Sequence, residues 1–600
     1  MVNGTIVDRL ARLREVMQKV GIDYYMIPTA DYHGSEYVSE YFMVRQFFSG
    51  FTGSNGTLVV WQEGAGLWTD GRYFIQAERE LAGTGATLYK SGQEGVPTIL
   101  EFLKSNMTKG QVLGFDGRVV GASVGLRYER ELASLGVLVS YDQDLAEKIW
   151  ADRPAFPCGK TFAIPAELSG RSVSEKLEDV RAVMKKEETE GFLLTKLDDL
   201  MWLFDIRGCD VECNPVALCY GYITAEQTFL FIQPEALNTE VQEHLDAAGV
   251  IIRDYKEMAM FLNSEVSQGC RVLVDPEHCN YALYKKVQER TEAVDRKNPT
   301  ELLKAVKNSV ELKNMEKVYL LDSLAVTRFI YWLKKNVGKM EITELTAAEY
   351  LDGLRRQIPG FLDLSFPTIA GYRENAAMMH YSATPDSYAA LAPEGMLLVD
   401  SGGQYMGGTT DVTRTIVLGP VSQEIKKHYT AVASGMLQLA GARWLYGCTG
   451  RNLDILARGP LWDLGVDYKC GTGHGIGYIL NVHEGPHSIR WKYTEGAGET
   501  VLEAGMCVSD EPGVYVEGRY GIRIENILTV KNGEKNQDGQ FMYFDVLTYV
   551  PIDLEAIDVQ YMTESQRRLL NEYHGRVYEK LAPFLQGEEL EWLKNVTNPI

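Results

Sequence analysis

Apolar residues near the start of the chain recur at the spacing of one face of an α-helix. The four positions are Ile6, Leu10, Leu13 and Met17. They stand at i, i+4, i+7 and i+11, which predicts an amphipathic helix, and Gly21 is its predicted stop. The apolar run at 24–27 then predicts a strand.

The same order of patterns returns further along the chain. The second set of four apolar positions is Val173, Leu177, Val180 and Met184. Ser172 or Ser174 can cap the helix that this spacing predicts. Gly191 is the predicted stop of this helix, and 192–195 is the next predicted strand.

The correspondence continues beyond these helices. In the first copy, the string Phe47-Phe-Ser-Gly-Phe-Thr-Gly53 precedes a predicted strand at 57–60. In the second copy, Trp202-Leu-Phe-Asp-Ile-Arg-Gly208 precedes a predicted strand at 216–220. Because the order of helix, strand, glycine motif and strand is kept, we interpret the first half of the chain as a duplication. The alternative is two unrelated α/β segments with common periodicities.

Changes in pattern mark the ends of these units. The proline-rich string Trp150-Ala-Asp-Arg-Pro-Ala-Phe-Pro157 separates the two copies. A long helical run is predicted from Asn298 through Leu324, and a larger domain with glycine-rich strands starts there. Helical spacing returns after Ser565. We therefore predict four segments, which are residues 1–155, 156–300, 301–545 and 546–600.

The composition of the 600-residue chain argues against several classes of protein. The formal net charge of -22 would repel nucleic acid and anionic membranes, so neither is an expected partner. No apolar run reaches the about 18 residues that span a bilayer, and no secretion signal is visible. The nine cysteines include no Cys-x-x-Cys pair, which is typical of reduced thiols. We expect a cytoplasmic protein.

Two aspartates belong to a predicted β-hairpin in the third segment. Asp400 ends an apolar run and precedes a glycine turn, and Asp411 lies in the predicted return strand at 409–417. The hairpin would bring the two carboxylates together. Adjacent carboxylates repel unless a cation lies between them or one is protonated. The alternative is that each aspartate caps a turn.

A histidine and two glutamates add to these carboxylates. His474 lies in Gly471-Thr-Gly-His474-Gly-Ile-Gly477, where the glycines permit a close approach of the backbone. This loop lacks the Lys-Ser or Lys-Thr of a P-loop, which argues against phosphate binding. Glu511 precedes Pro-Gly, and Glu525 lies in an Ile-x-Ile strand pattern, where a buried carboxylate needs a partner. The structural alternative is an ion pair between Glu525 and Arg523.

Four carboxylates and one imidazole form a hard, oxygen-rich set of ligands. Such a set suits two divalent ions, first of all Mn²⁺, with Zn²⁺, Co²⁺ or Fe²⁺ as alternatives. Two adjacent ions can lower the pKa of a shared water to about 7 and so produce a nucleophile. The residues alone predict metal-assisted hydrolysis and leave the substrate open.

These strings resemble the pita-bread metallopeptidases, and in particular the aminopeptidase P family. The resemblance covers nearly the whole chain. Its motifs are Asp400-Ser-Gly-Gly-Gln-Tyr, Gly408-Thr-Thr-Asp411-Val-Thr-Arg-Thr, Gly473-His474-Gly-Ile-Gly, Asn481-Val-His483-Glu-Gly-Pro, Glu511-Pro-Gly and Arg523-Ile-Glu525-Asn. It implies the three-domain cytosolic type of the family, with an α/β (α+β) fold. Two related creatinase N-terminal-like domains would precede a pita-bread catalytic domain with a C-terminal extension.

The resemblance also implies an activity and its substrates. Members of this family release the N-terminal residue from peptides with proline at the second position, by attack of a metal-bridging hydroxide on the Xaa-Pro bond. That bond is a tertiary amide without an N–H, so selecting it needs a pocket for the ring and a site for the free amine. The sequence does not reveal this pocket. A homodimer is implied by the same resemblance.

The family motifs assign five residues to the two metal ions. These residues are Asp400, Asp411, His474, Glu511 and Glu525. By resemblance, Asp411 and Glu525 would bridge both ions. Glu511 would also pass a proton from the bridging water to the leaving nitrogen, as general base and then general acid.

Three other residues match further catalytic positions of the family. His380 and His483 would bind the scissile carbonyl and stabilise the tetrahedral oxyanion. Arg523 would orient a carboxylate or these histidines. One position departs from the pattern, because Cys470 stands where many members have a histidine four residues before the ligand histidine. The change removes no ligand, so activity is still expected.

Three alternatives remain open at the level of sequence. A prolidase, which is an Xaa-Pro dipeptidase, has similar motifs but usually lacks the duplicated N-terminal half. A creatinase-like amidinohydrolase does not use the five-ligand metal set. A catalytically inactive pita-bread module that binds peptides or proteins has typically lost the ligands, and all five matching residues are present here.

Overall fold

The chain forms two compact units. A computed structural model describes residues 4–492 and 500–600. The first unit comprises Met1–Pro165 and Arg171–Glu301, and the second comprises Ala166–Gly170 and Leu302–Ile600. Among the described residues, every helix is too short or too polar to cross a membrane.

Helices and strands are numbered in chain order. The α-helices are α1 (Ile6–Val20), α2 (Val44–Ser49), α3 (Phe74–Glu80), α4 (Ile99–Asn106), α5 (Ala122–Ala133), α6 (Ala166–Ser169), α7 (Val173–Lys186), α8 (Leu197–Leu203), α9 (Thr239–Ala247), α10 (Met258–Ser264), α11 (Tyr281–Arg290), α12 (Pro299–Ala305), α13 (Ser309–Asn336), α14 (Glu344–Arg355), α15 (Gln423–Ala440), α16 (Gly450–Trp462), α17 (Glu564–Leu581) and α18 (Gly587–Val596). The strands of the first unit are β1 (Tyr24–Pro28), β2 (Thr57–Trp61), β3 (Gly64–Thr69), β4 (Ala86–Lys90), β5 (Val112–Gly114), β6 (Leu138–Ser140), β7 (Phe162–Ala163), β8 (Gly191–Leu194), β9 (Ile206–Arg207), β10 (Cys219–Thr224), β11 (Thr228–Ile232), β12 (Val250–Asp254), β13 (Arg271–Val274) and β14 (Glu292–Asp295). The strands of the second unit are β15 (Phe361–Tyr372), β16 (Met396–Tyr405), β17 (Gly408–Thr409), β18 (Val412–Val417), β19 (Arg443–Leu445), β20 (Gly473–Gly475), β21 (Glu484–Ile489), β22 (Cys507–Asp510), β23 (Gly513–Val516), β24 (Tyr520–Arg523), β25 (Asn526–Asn536) and β26 (Gly539–Val546).

Two six-stranded sheets in the first unit share one topology. The strand order is β4-β3-β2-β1-β5-β6 in one sheet and β12-β11-β10-β8-β13-β14 in the other. In each sheet, two adjacent antiparallel pairings are flanked by parallel pairings in the same places. The predicted duplication is confirmed by this shared order and direction.

The helix that opens each copy begins at a hydroxyl cap. Thr5 caps α1, which ends as predicted at Gly21, where φ is 73°. Ser172, one of the two candidates, caps α7. A hydroxyl at this position accepts a hydrogen bond from a backbone N–H of the first turn that would otherwise lack a partner.

The predicted stop of the second helix is wrong. α7 ends at Lys186, and Glu188 takes the left-handed conformation that reverses the chain, with φ 54°. The next N–H, of Thr189, donates to Met184 O at 3.0 Å and closes the helix end. Gly191 instead begins β8, where a Cβ would meet the Tyr222 hydroxyl.

The strand predicted at 216–220 begins later than expected. β10 starts at Cys219, because the preceding backbone is held by loop contacts rather than by a sheet ladder. Leu218 N–H donates to Asp210 Oδ2 and Val216 N–H donates to Asn214 O, both at 2.7 Å.

The helical run predicted from Asn298 is two helices. α12 ends at Ala305, and α13 begins at Ser309. Between them, the Asn308 side chain accepts hydrogen bonds from the N–H groups of Val310 and Glu311, at 2.9 and 3.1 Å. The Glu311 carboxylate accepts from Asn308 N–H in return, at 2.8 Å. This capping box fixes a new helix start inside an apolar run that looks continuous.

The second unit is built on a four-stranded and a six-stranded sheet. In one sheet β16 pairs with β15, β17 and β18, and the other has the order β19-β26-β25-β22-β20-β21. Strands β23 and β24 form a separate ribbon. The antiparallel pairing of β16 with β18 confirms the predicted hairpin. The expected α/β (α+β) fold, with two related N-terminal domains before a pita-bread domain, is therefore present.

Helix α15 anchors the strands that lead to the polar residues of interest. Its buried Val432 and Met436 belong to one apolar cluster with Val508 on β22, Ile522 on β24 and Leu528 on β25. Each fully buried side chain of this size contributes about 1.5–3 kcal/mol. The strands on either side of Glu511 and Glu525 are therefore fixed by the core.

Candidate metal centre

The β16–β18 hairpin brings Asp400 and Asp411 together. Asp400 lies opposite Thr413 in the register, and Asp411 is two residues before Thr413, so both face one side of the sheet. Asp400 is in the interior of β16, not at its end as expected, because β16 continues to Tyr405. Asp411 is 4% exposed.

Glu525 reaches the same place from the junction between β24 and β25. Its N–H donates to Thr413 O at 3.1 Å, and Thr413 Oγ1 donates to Glu525 Oε2 at 2.8 Å. The strand predicted from the Ile-x-Ile pattern is interrupted at Glu525, because the Glu525 N–H donates to β18. Glu525 is 1% exposed, so its carboxylate lies in the interior.

His474 and Glu511 come from the second sheet. His474 Nε2 lies 3.2 Å from Glu511 Oε1 and 3.6 Å from Asp411 Oδ2. The glycines beside His474 are needed, since a Cβ at Gly473 would lie 1.9 Å from Ser509 O. Ser509 Oγ accepts from His474 N–H at 2.9 Å and donates to Glu511 Oε1 at 3.2 Å.

The five predicted ligand residues form one cluster. Ligand atoms of Asp411, His474 and Glu525 lie within 4.8 Å of one another. Glu511 contacts His474, and Asp400 is placed beside Asp411 by the hairpin. The structure thus assembles all five side chains, while their role as ligands stays a prediction.

The donor set fits divalent cations. Asp400 Oδ1 and Glu525 Oε1 are buried without a hydrogen-bond partner among the described residues. Burial, then Glu525, Asp400 and Glu511, raise the pKa of Asp411 well above its usual range. Burial, then Glu511 and Asp400, raise the pKa of Glu525 to about 8. Divalent ions would stabilise the charged forms of these two buried carboxylates.

The pKa of His474 is raised and the pKa of its neighbour Glu511 is lowered. Burial alone would lower the pKa of His474, but Glu511 outweighs it and raises the pKa to about 9. Burial would raise the pKa of Glu511, and the hydrogen bond and charge of His474 lower it below its usual value. In this arrangement His474 and Glu511 form a charge-assisted hydrogen bond, so Glu511 stays an anion.

Arg523 connects the cluster to the loop that carries His380. Its Nη2 lies 2.6 Å from Asp400 Oδ2 and donates to Met379 O at 3.4 Å. Its Nη1 donates to the Tyr515 hydroxyl at 2.7 Å. The ion-pair partner of Arg523 is thus Asp400, and the suggested pairing with Glu525 is wrong, because Thr413 binds Glu525 instead.

The two predicted substrate histidines are connected to the cluster by different observed contacts. The His483 ring meets the His474 ring edge-on, with centroids 4.4 Å apart. His380 is half-buried and directly follows Met379, whose carbonyl accepts from Arg523. His483 therefore contacts the cluster directly, and His380 is tied to it through the backbone of its neighbour.

Sequence reasoning missed several groups that hold the cluster. Thr413 binds Glu525, Ser509 binds Glu511, and Tyr515 binds Arg523. Thr413 and Ser509 each stand two residues from a predicted ligand, so strand alternation was the signal that indicates them. Tyr515 has no comparable signal.

Comparisons with known families agree with this geometry. A family described as metallopeptidase family M24 matches residues 313–532, and the C-terminal region of peptidase M24 matches 540–600. Creatinase/prolidase N-terminal domains match 9–147 and 152–311. Aminopeptidase P1 of Arabidopsis thaliana is 35% identical over 643 residues, covering 98% of this chain and 99% of that protein.

The chain belongs to the aminopeptidase P family.

A solved structure of an aminopeptidase P family member shows the same fold over the whole chain. It is X-prolyl aminopeptidase from Caenorhabditis elegans, described as a cytosolic enzyme with a di-nuclear active site. The TM-score is 0.94 at 33% identity, covering 99% of this chain and 100% of that one.

The structure of a dipeptidase matches only part of this chain. Xaa-Pro dipeptidase from Bacillus anthracis has a TM-score of 0.51 at 22% identity. It covers 64% of this chain and 99% of its own. This likeness concerns the fold alone.

Proposed function

We propose that this family member is a metal-dependent hydrolase that releases the N-terminal residue from peptides with proline at the second position. The observation that carries the proposal is the full-length similarity to an X-prolyl aminopeptidase, including both N-terminal copies. The clustered side chains of Asp411, His474 and Glu525 support metal-assisted chemistry. Peptides with free N-termini are the proposed substrates.

Two divalent ions per chain are the proposed cofactors. Asp400, Asp411, His474, Glu511 and Glu525 would hold them. When bound, such ions supply Lewis-acid activation of water and of the scissile carbonyl. The oxygen-rich donor set favours Mn²⁺ over softer metals, which elemental analysis of protein purified without added metal would test.

The chain's own residues have three proposed tasks. Glu511 accepts a proton from the attacking water and delivers it to the leaving proline nitrogen. His483, which lies against His474, and His380 donate hydrogen bonds where negative charge develops on the scissile carbonyl. Arg523 keeps Asp400 and the loop before His380 in place.

The direct test of this function compares matched peptides. Protein loaded with manganese should release arginine from Arg-Pro-Pro at least about 100-fold faster than from Arg-Ala-Pro, since a proline-selective site excludes other residues. Equal rates on the two tripeptides would overturn the proline specificity while leaving an aminopeptidase. Release of the dipeptide Arg-Pro and free proline, instead of arginine and Pro-Pro, would overturn the aminopeptidase itself.

Three further proposals concern the oligomeric state, the division into segments and the cellular location. We propose a homodimer, which sedimentation equilibrium would test. The proposed segments 1–155, 156–300, 301–545 and 546–600 are close to the family matches at 9–147, 152–311, 313–532 and 540–600. Limited proteolysis near residues 155 and 300 would test the first two boundaries. A cytoplasmic location is supported by the relative described as cytosolic, and cell fractionation would test it.

A further inference from the structure

Three charged side chains are buried together, and one of them belongs to Glu484, the residue that follows His483. Lys304 Nζ lies 2.9 Å from Glu484 Oε2, and Lys307 Nζ binds Glu484 Oε1. The three side chains are at most 2% exposed. Lys307 Nζ also donates to Lys304 O at 3.1 Å, so the two lysines are held to each other as well.

This cluster is costly to build. Taking three charged groups out of water carries a desolvation cost that their mutual attraction has to offset. Burial alone would raise the pKa of Glu484, but Lys304 and Lys307 lower it below its usual value. Glu484 is therefore a fixed anion, clamped on both carboxylate oxygens. A buried clamp of this kind gives little net stability, so its value lies in fixing one arrangement of the chain.

Glu484 lies where β21 pairs with β20, the strand that carries His474. It is the first residue of β21 and lies opposite Gly475, which directly follows His474. A Cβ at Gly475 would lie 2.2 Å from Glu484 O, so the two backbones are in contact. His483 precedes Glu484, and its ring packs on the His474 ring at 4.4 Å.

We propose that Glu484, clamped by Lys304 and Lys307, is a positioning residue that holds His483 against His474. His483 lies in the bend that leads directly into β21, and its N–H donates to Asn481 Oδ1 at 3.2 Å. With the Glu484 side chain fixed in the interior, the backbone that carries His483 is held beside the His474 ring. Glu484 acts through His483 and does not contact the substrate.

The variant Glu484→Gln keeps the shape of the side chain and removes its charge. In a crystal structure of the full-length variant, we expect the His474 and His483 rings to be separated or the His483 ring to change rotamer. The kinetic expectation rests on the proposed function. On Arg-Pro-Pro, kcat should fall about 10–100-fold, as for other groups that orient a ligand or catalytic residue. KM should change less than about threefold, because His483 acts on the transition state.

A buried ion pair elsewhere provides the control for general destabilisation. Lys176 and Asp205, in the first unit, are 2.5 Å apart with side chains 1% and 4% exposed. Asp205→Asn should lower Tm to a similar extent and leave kcat unchanged. If Glu484→Gln does not fold, Glu484→Asp keeps the charge with a shorter reach, and it should still displace the His483 ring.

The outcomes separate this proposal from the proposed function. Unmoved rings with kcat as in the wild type overturn the positioning role, as does a loss of kcat that Asp205→Asn reproduces. A wild-type protein that does not cleave Arg-Pro-Pro overturns the proposed function instead. In that case the ring separation in the variant still decides whether Glu484 positions His483.

Discussion

Arg523 and Asp400 form a buried ion pair with 2.6 Å between Nη2 and Oδ2. The same guanidinium binds the Tyr515 hydroxyl and the carbonyl that precedes His380. Its Nε also donates to Thr413 Oγ1 at 3.1 Å, and Arg523 is 3% exposed, so these contacts are made away from solvent. One rigid, planar cation therefore couples a predicted metal ligand to a predicted substrate residue.

Arg523→Lys should impair catalysis although it keeps the charge. A lysine has a single ammonium group and cannot reproduce the fork that reaches both Asp400 and Tyr515. We expect kcat/KM on Arg-Pro-Pro to fall about 10–100-fold. Tyr515→Phe, which removes one hydrogen bond, should cost less than about tenfold. Full activity of Arg523→Lys would show that the fork is dispensable.

Glu511→Gln should nearly abolish turnover. The amide cannot accept the proton, and it is a poorer metal ligand than the carboxylate. We expect kcat to fall by about 10²–10⁴-fold. Glu517→Gln, on the exposed turn of the same ribbon, is the matched control and should retain wild-type kcat. Steady-state kinetics with parallel metal analysis would measure both effects, and turnover of Glu511→Gln near the control would contradict the role.

Metal removal should destabilise the fold. Without cations, burial first and neighbouring carboxylates second disfavour the charged forms of Asp411 and Glu525 and raise the pKa of both. Manganese at about 1,000 times its Kd should add about 4 kcal/mol to the free energy of unfolding. Calorimetry with a chelator and with manganese measures the shift in Tm. The same Tm in both samples would be incompatible with a metal site in this cluster.

The pH dependence of stability has a predicted sign in the metal-free protein. The pKa of Glu525 rises from 4.5 to about 8, and that of His474 from 6.5 to about 9. Between about pH 7 and pH 9 the folded chain therefore binds more protons than the unfolded chain at these two groups. Their contribution to the free energy of unfolding falls as pH rises through this window, by at most about 1.4 kcal/mol per pH unit for each group.

Urea unfolding at the two ends of this window would test that sign. The fall in the free energy of unfolding with rising pH should be smaller with saturating manganese, because bound cations replace the protons. It should also be smaller in metal-free Glu525→Gln, which has one titrating group less. A metal-free protein that becomes more stable relative to the manganese form as pH rises would contradict the account.

Cys470 should be dispensable. It is half-buried beside the apolar core of the second unit, and its carbonyl accepts from Arg458 Nη2 at 3.2 Å. This contact uses the backbone, so Cys470→Ser preserves it. We expect kcat/KM within about threefold of the wild type and unchanged metal content, since serine is close to cysteine in size and the change leaves all five clustered residues in place. A loss above 100-fold would make the thiol part of the catalytic machinery.

The sequence predicts those parts of the fold that depend on local spacing. The α1 helix and its stop at Gly21 follow from apolar periodicity and one glycine. The errors occur where polar side chains redirect the backbone. Asp210 delays β10 by binding Leu218 N–H, and Asn308 interrupts an apolar helical run with a cap. Such contacts depend on partners that periodicity does not identify.

The candidate site also has a part that the sequence predicts and a part that it does not. Its five clustered residues lie in motifs that the sequence displays, so their assembly was predictable. The clamp on Glu484 was not, because Lys304 and Lys307 lie 180 and 177 residues away along the chain. Their pairing depends on the tertiary fold, and a lysine in a helical segment is usually on a solvated face.

The most direct test of the central claim is hydrolysis of Arg-Pro-Pro by metal-stripped protein, with and without added manganese, beside the dipeptide Ala-Pro. The account predicts that free arginine is released from the tripeptide only when metal is present. Cleavage of Ala-Pro but not of the tripeptide would identify a dipeptidase. No cleavage of either peptide by folded protein that binds two ions would contradict the assignment of Xaa-Pro hydrolysis to this chain.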